Sequence, residues 1–540
     1  MPMSLRPAAT LAAAGSFVLL VLLGACAQRQ PLPADPAGRL FGRGLDEIAD
    51  LYIAPVSSRT LALAAAARLS GLDPKLAVLE TPGPEDRTEL ALDYDRREIT
   101  TYPSPSGDDP HIWGEWLGHV LTDAKAASAT LAALPQDQID KALFDGITGA
   151  LDRFSRYAAP AAARAQRAAR DGFGGIGVTL DPSPDRFRII KVMPGGPADL
   201  AGIRAGDTIV AIDGRPTAGR SREDVLDALR GPVLGPVTVG VDRPGAEQTR
   251  DFRLQRSLIV EPTVTLSQAS GIAIFHISSF NQDTTQQLVA DLEGVRRTMG
   301  PQLRGIVLDL RGDPGGLLDQ AVSLADVFIT KGPIVATIGR NPASRQFFEA
   351  SGDSVAPNLP IVVLVNGGSA SASEIVAAAL QDAGRAVVVG TASYGKGTVQ
   401  TVVRLPNNGE LILTWAQLVA PAGYALNTHG VVPTVCTSDL GNDGEALQTA
   451  LRRASGSAAV SPLTFRPRAS LDNAGWDRLR GSCPPRLGER PIDIAVAESL
   501  LADPVLYSQA VHVIGASASL AARSGGTTPA SADAALPGPP

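Results

Sequence analysis

Two short stretches hold the residues with the clearest potential for chemistry. Ser371 lies among small residues, between a β-branched run at 361–365 and an alanine-rich run at 374–380. Lys396 lies 25 positions further on between two glycines, and Gln400 follows it at i+4. A serine becomes a nucleophile when a base takes its proton, and a lysine is a base only when burial leaves its amine neutral. Gln400 can hold that amine by a hydrogen bond without adding a charge that would keep it protonated.

Two other interpretations of these residues explain less. Histidine is the usual base for a serine, but none of the 5 histidines lies in a motif of its own, and no Gly-x-Ser-x-Gly elbow surrounds Ser371. Alternatively, residues 369–373 only start a helix that packs on a sheet, and Lys396 lies on a surface hairpin. That explanation suits either stretch alone better than it suits both together.

The elements around these residues alternate between strand and helix. The runs 361–365 and 386–390 predict buried strands, and a helix is predicted from the serine-rich segment to residue 380. A serine at a strand-to-helix turn lies at the positive end of the helix dipole, where backbone N–H groups are free. A similar unit has a strand at 305–310 and a helix at 318–328, joined through Pro314-Gly-Gly316. Glycine N–H groups at such a helix start suit an oxyanion.

Residues 172–256 form a second recognisable unit. Its predicted elements are a glycine-rich run at 172–178, strands at 187–192, 237–241 and 252–254, and a helix at 222–229. This combination resembles a bacterial PDZ domain. The resemblance implies that glycine N–H groups bind the carboxylate of a substrate tail and that a strand edge pairs with its backbone.

The PDZ resemblance also implies particular binding residues. The expected peptide-binding residues are Gly174, Gly175, Ile176, Gly177 and Val178. Arg230, at the end of the predicted helix, is a candidate regulatory link between this unit and the rest of the chain. A solvated cation at a helix C-terminus is an equally good explanation of Arg230.

The Ser371 and Lys396 stretches together resemble the serine–lysine C-terminal processing peptidases, also called tail-specific proteases. The matching segments are Gly368-Ser-Ala-Ser-Ala-Ser-Glu-Ile375 and Tyr394-Gly-Lys-Gly-Thr-Val-Gln400. By motif position, the resemblance implies Ser371 as nucleophile, Lys396 as base and Gln400 as the residue that orients the base. We assign the oxyanion hole to the N–H groups of Gly316 and Ala372.

The resemblance covers roughly residues 140–435 and implies a multidomain α/β fold. Its parts are a crotonase-like α/β spiral protease core and an inserted PDZ domain that is β-rich with two helices. Helical periodicity before residue 140 adds an N-terminal helical region. One departure from the family's pattern lies after the strand at 305–310, where Gly312 and Asp313 replace two asparagines. We expect this change to alter the loop.

The first 26 residues are typical of a bacterial lipoprotein signal. Arg6 supplies a positive start, residues 11–23 are apolar but short for a membrane span, and Leu-Gly-Ala-Cys26 resembles a lipobox. We therefore expect lipidation at Cys26; an ordinary signal peptide with a chance cysteine is the alternative. The expected location is the periplasmic side of the envelope, and Ala27 favours the outer membrane.

The two remaining cysteines follow the catalytic stretches. An exported chain meets oxidising conditions, so Cys436 and Cys483 are expected to form a disulfide. Two unpaired buried thiols are the alternative.

Composition and length set the domain plan. With 540 residues, several domains are expected, and a net charge of −7 without a basic run argues against nucleic acid as a partner. The expected divisions are a signal peptide (1–26), a tether (27–39), a mainly helical N-terminal region (40–165), the PDZ domain (171–256), the catalytic core (257–435), a C-terminal region (436–515) and a disordered tail (516–540).

The sequence thus favours a lipid-anchored serine endopeptidase that binds substrate C-termini through its PDZ domain. The alternative is a non-catalytic PDZ scaffold that binds protein tails, and the intact Ser371, Lys396 and Gln400 argue against it. We expect no cofactor and no metal. The expected partners are protein substrates and the membrane; whether an adaptor protein or a second copy of the chain takes part stays open.

Overall fold

The computed structural model describes residues 35–83, 88–183, 187–441 and 471–511. The expected signal peptide, Cys26, most of the tether and the expected tail at 516–540 lie outside the described residues. Within the described ranges, every helix is too short or too polar to span a bilayer.

The N-terminal region combines helices with a small sheet. The helices are α1 (Pro36–Leu51), α2 (Ser58–Ala67), α3 (Leu69–Leu72), α4 (Pro110–Ala127), α5 (Ala129–Ala132) and α6 (Gln136–Gly149). The strands are β1 (Leu76–Pro82), β2 (Thr88–Tyr94) and β3 (Arg97–Pro103), in one antiparallel sheet. Helices α1 and α4 cross closely, because a Cβ on Gly114 would lie 2.2 Å from the backbone nitrogen of Gly42.

The expected tether at 27–39 is too long at its C-terminal end. Helix α1 already begins at Pro36, and the Asp35 carboxylate accepts a hydrogen bond from the N–H of Ala37. Aspartate at the N-cap and proline at the first helical position together start a helix. The last 4 residues assigned to the tether are therefore helical.

A strand and a helix lead from this region to the PDZ-like unit. They are β4 (Arg156–Ala158) and α7 (Pro160–Asp171). The PDZ-like unit contains β5 (Phe173–Gly175), β6 (Val178–Leu180), β7 (Ile189–Val192), α8 (Pro197–Leu200), β8 (Thr208–Ile212), β9 (Arg215–Pro216), α9 (Arg222–Leu229), β10 (Pro236–Asp242) and β11 (Arg250–Gln255). It has a hydrophobic core of its own, in which Ile189, Val225 and Val239 are fully buried.

The remaining elements build the body that carries Ser371 and Lys396. Its strands are β12 (Ser257–Ile259), β13 (Val264–Ala269), β14 (Ile272–Ile277), β15 (Gly305–Asp309), β16 (Pro333–Ile338), β17 (Gln346–Glu349), β18 (Ile361–Val365), β19 (Val387–Gly390), β20 (Thr398–Arg404), β21 (Glu410–Val419) and β22 (Val435–Cys436). Its helices are α10 (Thr284–Met299), α11 (Leu318–Asp326), α12 (Ala372–Asp382), α13 (Asn473–Gly481) and α14 (Pro491–Ala502).

Two sheets organise this body. The first has the order β13-β14-β15-β18-β19-β22 and is parallel from β14 onwards. All five residues of β18 are buried, as the apolar run at 361–365 predicts for a strand covered on both faces. The loops after β15, β18 and β19 meet at the carboxyl edge of the parallel strands, where α/β sheets place their sites. The second sheet has the order β17-β16-β21-β20, and β4 pairs with β21.

The C-terminal segment 471–511 packs against the parallel sheet. Val496 and Leu500 of α14 are fully buried beside Val362 and Val387. A disulfide bond joins Cys436, at the end of β22, to Cys483, just after α13. This segment is therefore part of the body that holds the parallel sheet.

Candidate active site

Ser371 lies at the turn between β18 and α12 in an unusual backbone conformation. Its φ is +57°, a region that non-glycine residues rarely occupy. Such strain persists where surrounding contacts impose it, and it is frequent at functional sites. Here the N–H of Ser371 donates to the carboxylate of Glu374 at 2.8 Å. The side chain lies at the N-terminus of α12, as the sequence predicts.

The loop after β15 lies directly against Ser371. We call residues 311–316 the oxyanion loop. A Cβ on Gly315 would lie 2.8 Å from the backbone nitrogen of Ala372 and 2.9 Å from Cβ of Ser371, so only glycine fits. The Asp313 carboxylate accepts the N–H of Gly315 at 2.8 Å, and its carbonyl accepts the N–H of Ala370 at 3.0 Å. The two loops are thereby fixed to each other.

Two backbone donors beside Ser371 remain available. Gly316 is held by a parallel bridge to Phe280, in which the flanking residues make the hydrogen bonds. Ala372 is the first residue of α12, where an N–H has no partner within the helix. Within the described residues, neither N–H donates a hydrogen bond. Both residues border one cavity with Ser371, as an oxyanion hole requires.

Lys396 reaches the same cavity from the loop after β19. Its amine lies 5.4 Å from the centre of the Phe154 ring. The pKa of Lys396 is lowered, first by burial and then by the positive charge of Arg156, while Glu374 and Asp152 oppose the shift. Burial disfavours the charged amine, so the environment moves this lysine towards the neutral form that a base needs.

Glu374 connects the two loops, and sequence reasoning missed it. Its carboxylate is fully buried and accepts the backbone N–H groups of Ser371, Gly395 and Lys396 at 2.8, 2.6 and 2.9 Å. The hydroxyl of Ser393 also donates to it. Burial raises the pKa of Glu374, and these four hydrogen bonds oppose that effect. The available signal was the Ser-x-x-Glu spacing of a capping box at the helix start.

Gln400 borders the cavity but makes different contacts from those expected. Its amide donates to the hydroxyls of Thr398 and Thr414 at 2.9 and 3.4 Å. Among the described residues, it makes no hydrogen bond to Lys396. Lys396 lies in the loop before β20, and a β-bulge between Val399 and Gln400 shifts the register of the pairing with β21.

The cavity itself has a volume of about 560 Å³. Its apolar lining comes mainly from β20, β21 and the starts of α11 and α12: Leu317, Leu318, Ile375, Val399, Val402, Ile412, Trp415 and Leu418. An extended peptide segment with apolar side chains fits such a lining. Among the described residues, no group of His, Cys, Asp and Glu side chains is arranged to hold a metal ion.

The C-terminal segment supports the loops around Ser371. Arg480 donates to the carbonyls of His429 and Ser393, and the N–H of Gly367 donates to the carbonyl of Arg486 at 2.8 Å. The side chain of Asn366 donates to the carbonyl of Gly488 at 2.9 Å. These contacts link distant parts of the chain, so no local sequence pattern predicts them.

The PDZ-like unit has its own groove, of about 300 Å³. Gly175, Ile176, Gly177 and Val178 border this peptide groove. Gly174 does not: its carbonyl accepts the N–H of Gly231 at 3.0 Å, and it pairs with β12. Gly174 lies outside the lining of this groove, and its part in peptide binding stays a prediction.

Arg230 lies where α9 ends and also borders the peptide groove. Its guanidinium lies 4.4 Å from the centre of the Phe173 ring. Glu261 and Pro262, which follow β12, border the same groove. Arg230 is thus at the boundary between the PDZ-like unit and the catalytic body.

Comparison with known proteins agrees with this architecture. The model of peptidase family S41 matches residues 271–437, and a PDZ-domain model matches residues 188–243. The chain is 35% identical over 368 residues to the carboxy-terminal-processing protease of Bartonella bacilliformis, an alignment that covers 64% of this chain and 84% of the relative.

Two further proteins are similar to this chain over a smaller part of its length. The chloroplastic C-terminal processing peptidase of Tetradesmus obliquus is 35% identical over 308 residues, which is 53% of this chain and 64% of that protein. A solved photosystem II D1 C-terminal processing protease is 31% identical and covers 58% of this chain and 86% of its own, with a TM-score of 0.33. The matches to the Bartonella relative and to the family model show that the chain belongs to peptidase family S41, as a carboxy-terminal-processing protease with an inserted PDZ domain.

Proposed function

We propose that this protease cleaves with a Ser371–Lys396 dyad after its PDZ domain binds the C-terminus of a protein substrate. The observation that carries the proposal is that both side chains border one cavity, where burial lowers the pKa of Lys396. The lowered pKa supports a lysine that can accept a proton from a serine hydroxyl. Glu374 supports the pairing because it holds the backbone of both residues.

The proposed reaction proceeds in two halves. Lys396 takes the hydroxyl proton while the Ser371 oxygen attacks the substrate carbonyl, and the N–H groups of Gly316 and Ala372 stabilise the oxyanion. The protonated amine of Lys396 then gives the proton to the leaving amine, and an acyl-enzyme remains. Water, deprotonated by Lys396, attacks the acyl carbonyl; the bond to the Ser371 oxygen breaks, and the proton on Lys396 returns to that oxygen. Gln400 orients the base from the cavity wall in this proposal, and its amide also bonds to Thr398 and Thr414.

The proposed location is the periplasmic side of the bacterial envelope. Cys26, at the end of a lipoprotein-like signal, is the proposed site of a lipid anchor. Retention of the protein in membrane fractions, and its release by Cys26→Ser, test this part of the proposal.

Cleavage of an unstructured test protein tests the dyad and the tail capture together. We expect wild type to cleave it faster when it ends in an apolar tail, and Ser371→Ala and Lys396→Arg to be inactive. Arginine keeps the positive charge but cannot lose a proton. The variant therefore tests whether Lys396 acts as a base rather than only as a positive charge. The exposed Ser106→Ala and Lys331→Ala serve as matched controls and should be fully active.

Each outcome has a clear meaning. Cleavage that survives Ser371→Ala refutes the nucleophile. Tail binding without cleavage in any variant indicates a scaffold that binds tails.

Because the neutral amine is the base, we also expect kcat/KM to rise with pH through a pKa below that of an ordinary lysine. A profile that rises only near pH 10 would contradict the proposed role of Lys396.

A further inference from the structure

One wall of the Ser371 cavity carries cations that take no direct part in the proposed proton transfers. Arg156 of β4 and Arg170 of α7 both border the cavity, in addition to Lys396. Among the described residues that line the cavity, Asp319 is the one carboxylate. The cavity wall is therefore positively charged, and a substrate segment in this cavity meets that charge.

The sheet register explains how Arg156 reaches the cavity. Strand β4 pairs antiparallel with β21, and Arg156 lies opposite Ile412. Ile412 in turn lies opposite Val402 of β20. Residues opposite each other in neighbouring strands point to the same face. Arg156, Ile412 and Val402 thus form one row across three strands, and all three border the cavity.

The charge of Arg156 has no acidic partner in the described structure. Its guanidinium makes one long hydrogen bond, 3.5 Å, to the carbonyl of Phe154. The nearby carboxylates are engaged elsewhere: Asp152 accepts the N–H of Phe154 at 2.7 Å, and the buried Glu410 pairs with Arg167 at 2.7 Å. Arg156 forms no ion pair with any of the described residues. A guanidinium presents a fork of donors that matches a carboxylate.

Arg170 adds a second positive charge beside Arg156. The pKa of Arg156 is lowered, first by partial loss of water and then by the charge of Arg170. Arg170 lies 3.7 Å from a carboxylate oxygen of Glu410, so its own charge is partly balanced. Like charges in a partly desolvated site repel each other, and an incoming anion relieves that repulsion. The geometry makes Arg156 the principal residue for binding an anion, with Arg170 in a supporting position.

We infer that Arg156, supported by Arg170, forms a carboxylate-binding subsite that gives this protease a preference for acidic groups near the scissile bond. The inference rests on the proposed function, because it needs the substrate to lie in the Ser371 cavity. The carboxylate has two sources: an Asp or Glu side chain of the substrate, or the free C-terminal carboxylate of a short substrate.

Quenched fluorogenic peptides distinguish these sources with the full-length protein. A parent peptide carries Gln at each of several positions around the cleavage site, and Glu replaces Gln at one position at a time. A second pair differs only in a C-terminal acid or amide. We expect kcat/KM to be about tenfold higher for Glu than for Gln at one position, since a guanidinium binds a charged carboxylate more strongly than a neutral amide. A preference for the acid over the amide alone would assign the terminal carboxylate.

Variants of Arg156 test whether this residue is the cause. Arg156→Gln should bring the Glu/Gln ratio close to 1, Arg156→Lys should keep most of the preference, and Arg156→Glu should favour a Lys-containing peptide. The Glu/Gln ratio compares two peptides with the same enzyme variant. A changed pKa of Lys396 affects the cleavage of both peptides equally and therefore leaves this ratio unchanged. Arg404→Gln, on an exposed arginine of β20 that bonds Asn408, is the matched control and should leave the ratio unchanged.

The outcomes separate this inference from the proposed function. Absence of cleavage for every peptide would refute the proposed function. Cleavage with Glu/Gln and acid/amide ratios near 1 in wild type would overturn the subsite while leaving the dyad intact. A preference that survives Arg156→Gln would also overturn it. A true ionic preference should weaken as the salt concentration rises.

Discussion

At the scale of single residues, the site depends on buried carboxylates as much as on Ser371 and Lys396. Glu374 joins the loops of both residues through backbone hydrogen bonds. Asp313 fixes the oxyanion loop through the N–H of Gly315. Neither side chain needs to touch substrate, so each acts by positioning other groups. Their removal should leave a folded protein with a poorly arranged site.

Glu374→Gln should lower kcat by about 10-fold or more and change KM little. The amide keeps the size of the carboxyl group, but its NH2 group cannot accept the donors that face it. A misplaced nucleophile affects the chemical step more than substrate binding. Steady-state kinetics, with circular dichroism as a check on folding, measure this effect. An unchanged kcat would show that the hydrogen bonds to Glu374 do not position the loops.

Asp313→Asn should remove a pH dependence of stability. Burial raises the pKa of Asp313 to about 7, although the N–H of Gly315 opposes the shift, and one carboxylate oxygen has no hydrogen-bond partner. Because the folded pKa is above the unfolded value of 3.8, stability from this group is present below pH 4 and is lost as pH rises to 7. The loss is at most about 4 kcal/mol, since one pKa unit corresponds to about 1.4 kcal/mol.

Thermal unfolding between pH 4 and pH 8 tests this prediction. We expect Asp313→Asn to raise Tm relative to wild type more at pH 8 than at pH 5, since asparagine keeps an oxygen for Gly315 and carries no charge. An equal change at both pH values would show that Asp313 does not titrate in this range.

At the scale of elements, the C-terminal segment is a structural support of the active site. Residues 471–511 lie beyond the family match at 271–437, yet they contact the loops after β18 and β19. The Cys436–Cys483 disulfide fastens the start of this segment to the end of β22. The stability of the segment and the activity of the enzyme should therefore change together.

Replacing Cys436 and Cys483 by serine should lower stability by about 2–4 kcal/mol and also reduce kcat. The disulfide closes a loop with a sequence separation of 47, which restricts the unfolded chain. Denaturant unfolding and peptide cleavage of the double variant measure the two effects, with wild type under reducing conditions as a comparison. Full activity in the reduced protein would contradict the proposed support.

Sequence patterns predict the elements better than they predict the site. The apolar runs at 361–365 and 386–390 correspond to β18 and β19, and the small-residue helix is α12. These elements depend on local periodicity, which a sequence displays. Gln400 contacts Thr414 on the neighbouring strand, and the place of Arg156 depends on the pairing of β4 with β21. Such non-local features leave no local signal, so sequence reasoning could not find them.

At the scale of the whole molecule, the proposed function requires that two grooves act on one substrate. The peptide groove of the PDZ domain and the Ser371 cavity are separate, and Arg230 lies at the boundary of the first with the catalytic body. Arg230→Ala should therefore keep the basal cleavage of tail-less peptides but lose the stimulation by an apolar tail. The physical reason is that the contact of Arg230 with Phe173 supports one wall of the groove.

Cleavage rates with and without added tail peptide measure this coupling. Arg215→Ala, at an exposed arginine on β9 of the same domain, is the matched control and should retain stimulation. If Arg230→Ala is stimulated like wild type, Arg230 is only a cation at a helix end.

The pairing of β4 with β21 has a consequence for the synthesis and folding of the protein. The cavity wall needs Arg156 and Ile412, which are 256 positions apart, and the loop at Gly367 needs the carbonyl of Arg486. A chain emerging from the ribosome therefore contains Ser371 and Lys396 before it contains the carbonyl of Arg486 that holds the loop at Gly367. Contacts this distant in sequence also form late in folding. We therefore expect an incomplete chain to have a poorly ordered active site and little protease activity.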